Sequence, residues 1–297
     1  MARSFPSDIV ILDTDALVHA RFARGKKGVR LVQAKPYRLA EETFTPAMVT
    51  PQLANESSLA ETLRRLRTET GRWDKASVLL PDSWFRINLV DLPSLPERES
   101  EAMEVVRWSL KKTLPIPPEQ LRVTYSVLSR EGTAAKVLVL SALEATLAGI
   151  EKTFAAAGFD VVLIEPLGLN IWNAITVREA ETTADRLFLY VRDTDFTTAV
   201  FRGAQPLFIR SRNLSAERTV EQEIRLSASY LRDTLAVDSF AHCYVAGLGG
   251  AAVHEILAAE FNTQVRPVVL RDYVEEYPAD LHNLDAELTA CTGVFTG

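Results

Sequence analysis

Asp8-Ile9-Val10-Ile11-Leu12-Asp13-Thr14-Asp15 and Leu187-Phe188-Leu189-Tyr190-Val191-Arg192-Asp193-Thr194-Asp195 each run from an apolar, strand-like stretch into the same acidic tripeptide. Each continues into a second strand-like stretch, Leu17 to Ala23 or Thr197 to Phe201, and then into a glycine-bearing turn, Arg24-Gly25-Lys26-Lys27-Gly28 or Arg202-Gly203. Two strand–tip–strand hairpins, one near the start of each half of the chain, indicate an internal duplication. They predict two like domains facing a shared cleft, with an acidic tip reaching in from each side.

Outward from the first hairpin, Val29 to Lys35 reads as a third strand, and residues 36 to 57 as an irregular connection. Leu59, Leu63 and Leu66 then mark a helix, Ala76 to Leu80 a buried strand, and Trp84 to Leu92 a longer alternating one. Met103, Val106 and Leu110 predict a helix over Glu97 to Leu114, stopped by Pro115-Ile116-Pro117-Pro118. Leu121 to Ser129 and Lys136 to Ser141 form a hairpin, helix Leu143 to Ala157 ends at Gly158, and Phe159 to Ile164 is again a buried strand. A helix through Leu169 and Ile175 leads to the polar stretch Val177 to Arg186, which marks the boundary between the halves. After the second hairpin come the strand Gln205 to Arg212, helix Ala216 to Leu235, strand His242 to Val245 and helix Ala252 to Phe261. A strand from Gln264 to Leu270 and a helix near Leu284 to Thr292 close the chain. The alternation predicts an α/β protein with mixed sheets.

At 297 residues, the chain has room for two domains of ordinary size. Hydrophobic content of 47%, charged content of 24% and a mean hydropathy of +0.02 describe a globular protein rather than a disordered one. A net charge of −6 leaves no basic surplus for nucleic acid, and clusters such as Arg64-Arg65 or Lys111-Lys112 read as solvated helix faces. No apolar run approaches the roughly 20 residues of a membrane span, and Ile9 to Leu12 is too short for a signal-peptide core. Two cysteines without a spacing motif, Cys243 and Cys291, suggest a reducing compartment, and the expectation is a cytoplasmic protein.

The most specific local signal is Val245-Ala246-Gly247-Leu248-Gly249-Gly250-Ala251, a glycine-rich turn from strand to helix. Such a turn directs backbone N–H groups at a phosphate or nucleoside, while Gly247, Gly249 and Gly250 serve equally well to let helix and strand pack closely. Asp13 and Asp15, if extended, share a strand face and form a candidate Mg²⁺ pair, as do Asp193 and Asp195. Carboxylates at such tips also serve turn formation, and without a cation they repel phosphate. His19, His242, His254 and His282 lack ligand spacing and read as structural; no catalytic residue is assigned.

The order of elements resembles the actin-like superfamily, which has a ribonuclease H-like core, and within it the PilM-like proteins of type IV pilus assembly. The likeness rests on Ile87-Asn88-Leu89-Val90-Asp91-Leu92-Pro93, on Leu114-Pro115-Ile116-Pro117-Pro118-Glu119-Gln120-Leu121 and on Tyr125-Ser126-Val127-Leu128. Phe201-Arg202-Gly203, Pro206 to Ser211 and the glycine turn add to it. The resemblance implies a two-domain fold with a first half over 1–180, a second over 181–297 and a small inserted α/β subdomain over about 86–160. It implies a nucleotide site at Asp13, Thr197, Thr198, Gly247, Gly249 and Gly250, with ATP and Mg²⁺ as its ligands. The family's first phosphate loop has glycine where this chain has Asp15, and hydroxyl residues where it has Ala16-Leu17-Val18. In the second loop Asp193 or Asp195 stands where the family has glycine, although Thr197 and Thr198 fit its hydroxyl positions, and both loops therefore read as degenerate.

On this reading the chain is a cytoplasmic scaffold, peripheral to the inner membrane through its partner and in contact with the pilus motor. It would hold the N-terminal peptide of a PilN-like bitopic protein in a groove between the first half and the insert, with Trp84, Phe85 and Trp108 as candidate apolar contacts. An ATP-binding switch or weak ATPase of the same superfamily is the second reading. The third is the cytoplasmic part of a type II secretion protein, which continues into a membrane span; this sequence holds none up to Gly297.

Overall fold

The computed structural model describes residues 6–296 apart from 27, 48, 72, 112–113, 180–182, 204, 236, 238 and 277–283. The expected boundary at 180/181, Lys27, Lys112 and His282 lie outside the described residues. The first half begins with the antiparallel strands β1 (Asp8–Leu12), β2 (Ala16–Arg24) and β3 (Val29–Arg38). Residues 36 to 57, expected to be irregular, contain the short pair β4 (Phe44–Thr45) and β5 (Gln52–Leu53), whose length explains why no periodicity announces them. Helix α1 (Glu56–Thr70) follows, capped by the Asn55 side chain, and leads to β6 (Lys75–Leu80). An inserted unit comes next: β7 (Arg86–Leu92), α2 (Glu99–Leu110), β8 (Leu121–Glu131) and β9 (Ala134–Leu143). Then α3 (Glu144–Ala156), β10 (Asp160–Pro166) and α4 (Leu167–Arg178) complete the half.

The second half repeats the plan without the insert: β11 (Asp185–Val191), β12 (Asp195–Arg202), β13 (Gln205–Asn213), α5 (Val220–Leu235), β14 (His242–Gly247), α6 (Ala251–Phe261), β15 (Val265–Pro267) and α7 (Asp285–Gly293). The two main sheets have matching order, β3-β2-β1-β6-β10 and β13-β12-β11-β14-β15. In each, a three-strand antiparallel meander is followed by two parallel strands reached through helical crossovers. The duplication expected from the hairpins is thus present in the whole sheet topology.

Strand alternation sorts the side chains into separate cores. Val10, Leu12 and Leu17 join α1 and α3 on one face of the first sheet, and Val200 and Val245 join α5 and α6 on one face of the second. The other faces meet α4 and α7 in a shared core, where Trp172 stacks on Phe201 with ring centroids 3.8 Å apart. Contact on several sides explains why α4 is apolar nearly all round, from Leu167 through Ile171 and Trp172 to Ile175.

The insert has its own three-stranded sheet, β7-β9-β8, packed on α2 through Leu92, Val106, Leu110, Val137 and Val139. Its independent core is narrower than residues 86 to 160. Leu147, Ile150 and Phe154 of α3 pack with the first main sheet, so the unit closes with β9 at Leu143. The hairpin running directly into α3 hid that change of core from the sequence.

Candidate functional site

The two hairpin tips are not in the register that their shared tripeptide suggests. In the first turn Asp13 N–H bonds Ala16 O, and in the second Arg192 N–H bonds Asp195 O. Leu12 pairs with Leu17 and Val191 with Phe196, so Asp13 corresponds to Arg192 and Ala16 to Asp195. The second Asp-Thr-Asp begins one position later than the first. Asp13 to Asp15 also form a turn rather than a strand, so the expected sharing of a face does not apply, and Asp15 projects to solvent. Asp13 Oδ1 instead accepts the Thr14 N–H at 2.7 Å.

These corresponding residues meet across the cleft. Arg192 pairs with Asp13 of the opposite tip and, through Nη1, with Asp195 Oδ2 at 2.9 Å. Asp195 Oδ2 also accepts bonds from Ser83 (3.2 Å) and Thr194 (2.9 Å), tying the second tip to the turn after β6. Beneath lies Asp82, fully buried, with Oδ1 taking the Gly168 N–H at 2.7 Å and Oδ2 unpartnered among the described residues. Burial pushes the Asp82 carboxyl up to about 7; the Gly168 N–H and the nearby Thr197 hydroxyl oppose the rise, and the charge of Asp195 adds to it. A guanidinium and a network of carboxylates therefore fill the region between the tips.

A cavity of about 450 Å³ opens beside this clasp. It contains both tips, Gly247 and Gly249 of the glycine turn, and Asp285 and Glu287 of α7. Among the described residues, five carboxylates, Asp13, Asp15, Asp193, Asp285 and Glu287, face one cation, Arg192. Glu287 accepts a bond from the buried Tyr190 hydroxyl at 3.3 Å, and burial raises its carboxyl above the usual range.

The remaining expected nucleotide residues divide. Thr197 shares a strand face with Asp195 but is buried and bonded to Ser211 at 2.8 Å, and it does not line the cavity. Thr198 points the other way, with Phe196 and Val200, into the core under α5 and α6, so it cannot reach a ligand in the cleft. Gly247, at φ +79°, lies so close to β11 that a Cβ would sit 2.1 Å from Val191 O. Gly250 is absent from the cavity wall. Two N–H groups of the turn are already used, Leu248 on Val191 O and Gly250 on Leu248 O. Close packing accounts for Gly247 without a ligand.

Nor do the residues fit a magnesium site. Asp13 is engaged by Arg192, and among the described residues no group of three or more His, Cys, Asp or Glu side chains is placed to hold a metal ion. His19 is a fully buried core residue bonded to Asp8 at 2.8 Å. Sequence reading missed Arg192, Asp82 and Glu287; of these, only Arg192, adjoining the repeated tripeptide, carried any local signal.

A second concavity, of about 260 Å³, lies between the first main sheet and the insert. One wall is the sheet's outer strand β10, from Val161 to Ile164; the others come from Phe85, Leu147, and Thr124 and Leu140 of the inserted hairpin. Val162 is 42% exposed on that edge. Of the three expected aromatic contacts only Phe85 reaches this groove: Trp84 is buried against Phe44, and Trp108 is exposed on α2. At the groove's end Arg122 bridges Glu144 and Glu151, which lower the tendency of its guanidinium to lose a proton.

Among solved structures, the chain is similar to the PilM-PilN type IV pilus biogenesis complex, at 19% identity over 96% of each chain with a TM-score of 0.76. It is also similar to a Bacteroides thetaiotaomicron protein with an actin-like ATPase fold and unknown function (10% identity, 98% of this chain and 95% of that one, TM-score 0.58). The cytoplasmic domain of EpsL, an inner membrane component of the type II secretion system of Vibrio cholerae, matches at 12% identity over 98% and 94%, with a TM-score of 0.53. No protein-family model and no curated protein sequence matches the chain. The fold is actin-like and its architecture PilM-like. Among the described residues, no helix is long and apolar enough to cross a membrane.

Proposed function

We propose that this protein is a non-enzymatic, actin-like scaffold of type IV pilus assembly or a related secretion machine. In this role it binds the short N-terminal peptide of a PilN-like one-span membrane protein. The observation that carries the reading is the groove between β10 and the insert, in a chain whose architecture matches a PilM-PilN complex over nearly its whole length. As the outer strand of its sheet, β10 pairs through one edge with β6 and offers its other edge to an added extended segment. Phe85, Leu140 and Leu147 supply apolar contacts beside it, so main-chain bonds give affinity and alternate side chains give selectivity. The cleft supports nucleotide turnover less well, because carboxylates outnumber cations there and Arg192 occupies the space between the tips.

The test is titration of the full chain with the N-terminal peptide of a one-span protein encoded beside it. Thr124→Trp and Val162→Asp, substitutions at exposed positions of the groove wall, are each expected to weaken binding by about tenfold or more. Binding unchanged in both variants, or no binding by the intact protein, removes the basis for the scaffold assignment.

A further inference from the structure

The space between the insert and the second main sheet holds a feature that neither the cleft nor the groove explains. Strands β7 and β13 are outer strands of their respective sheets, and a pocket of about 430 Å³ lies between them. Phe85, Ile87 and Asn88 form one side; Phe208, Arg210 and Arg212 form the other.

Its charge is opposite to that of the chain. Arg210 and Arg212, two apart on β13, share a face, and Arg86 and Arg218 lie close enough to act on Arg212. The acid among them is Glu223, fully buried, which takes ion pairs from Arg210 at 3.2 Å and Arg218 at 3.3 Å. Arg212 is exposed, donates to Ser211 O at 3.1 Å, and has no ion pair among the described residues. Burial of its inner atoms and repulsion from Arg210 weaken its hold on its proton, as expected of a guanidinium crowded by others. Among the described residues, Arg210, Arg212 and Arg218 gather around the single carboxylate of Glu223, which leaves a positive site in a protein of net charge −6. Two buried polar atoms of the lining, Arg210 Nε and Asn88 Oδ1, have no hydrogen-bond partner among the described residues.

An apolar shelf adjoins the arginines. Tyr230, 42% exposed, leans on Phe208 with ring centroids 5.2 Å apart. One turn earlier on α5, Leu226 is 54% exposed. A small anion would satisfy the arginines and leave this shelf uncovered, whereas nucleic acid would meet the repulsion of the whole chain.

We propose that the pocket docks an acidic segment of a partner protein, with carboxylates on Arg210 and Arg212 and an aromatic or aliphatic side chain on the Phe208–Tyr230 shelf. Charge complementarity steers and aligns the segment, and the aromatic anchor holds it. The site shares only Phe85 with the groove, so the inference does not rest on the peptide-binding reading.

Fluorescence anisotropy on the full chain tests it. The probes are labelled peptides with one Trp or Leu flanked by Asp and Glu, and matched peptides carrying Asn and Gln instead. The acidic peptides are expected to bind at least about tenfold more tightly than their amide counterparts, and to lose about tenfold on Arg212→Glu and on Tyr230→Ser. Val162→Asp, in the groove, is expected to leave this binding intact. No binding by any acidic peptide, equal binding by the amide series, or insensitivity to Arg212→Glu overturns the proposal. So does loss of binding on Val162→Asp, which would place the peptides in the groove. Full competition by inorganic phosphate, with no effect of Tyr230→Ser, would replace it with a small-anion site.

Discussion

Asp82 shows how much of the cleft's chemistry depends on a residue that nothing in the sequence singles out. A lone aspartate after Leu80-Pro81 reads as turn chemistry, yet the fold seals it between α4 and β12, with one oxygen satisfied and the other unpartnered among the described residues. Its carboxyl, raised to about 7 by burial, holds its proton in the folded protein at a pH where the unfolded chain has already released it. Between the ordinary aspartate value of 3.8 and about 7, folding therefore binds a proton, and stability falls as pH rises through that window. Asp82→Asn keeps an acceptor for the Gly168 N–H and removes the titration. The variant is expected to match the parent near pH 4 and to exceed its stability at pH 8 by about 2–4 kcal/mol. Urea denaturation across that range checks this. Glu165 and Glu287 are also raised by burial, so the informative quantity is the difference between the two proteins. A difference that does not change with pH would show that Asp82 is ionised throughout.

Whole elements were far more legible than their contacts. Helices α3 and α5 and the meander strands follow from apolar period and turn residues, because packing on one face imposes that period. Ends were harder: β15 spans only Val265–Pro267 of the expected Gln264 to Leu270, and α2 ends at Leu110 before the proline run. The glycine turn after β14 was visible in the sequence, but its purpose was not, since Gly-x-Gly-Gly serves packing and phosphate binding alike. The structure separates its members. Gly247→Ala would force a Cβ against Val191 O at a positive φ, so a loss of about 2 kcal/mol or more is expected. At Gly250, φ is −64° and, its own and its neighbouring residues aside, no described atom lies within 4 Å of the position a Cβ would take, so Gly250→Ala should change stability by no more than about 1 kcal/mol. Thermal melts of the two variants give the comparison, and equal sensitivity would contradict the packing account of Gly247.

At the scale of the whole molecule, the duplication is real, but the tripeptide that announced it is offset by one residue between the copies. Sequence identity of three residues cannot fix register; the ladder Leu12–Leu17 against Val191–Phe196 does. Corrected register puts Asp13 opposite Arg192, and their ion pair joins the two halves beside the cavity that both tips line. The molecule thus supplies its own cation to its own acidic tips, and ATP would have to displace that pairing and face the carboxylates that line the cavity. Isothermal calorimetry with ATP and Mg²⁺ is therefore expected to show no saturable binding in the micromolar range. Arg192→Ala should not create binding, because it removes the one cation that lines the cavity among the described residues. Asp15→Gly, which deletes an exposed carboxylate while leaving the clasp intact, should shift affinity toward ATP if charge is the obstacle. Tight binding by the parent protein would mean that the clasp opens at little cost and that Arg192 turns to the phosphates. In that case Arg192→Ala would abolish the binding, which separates an opening cleft from a self-occupied one.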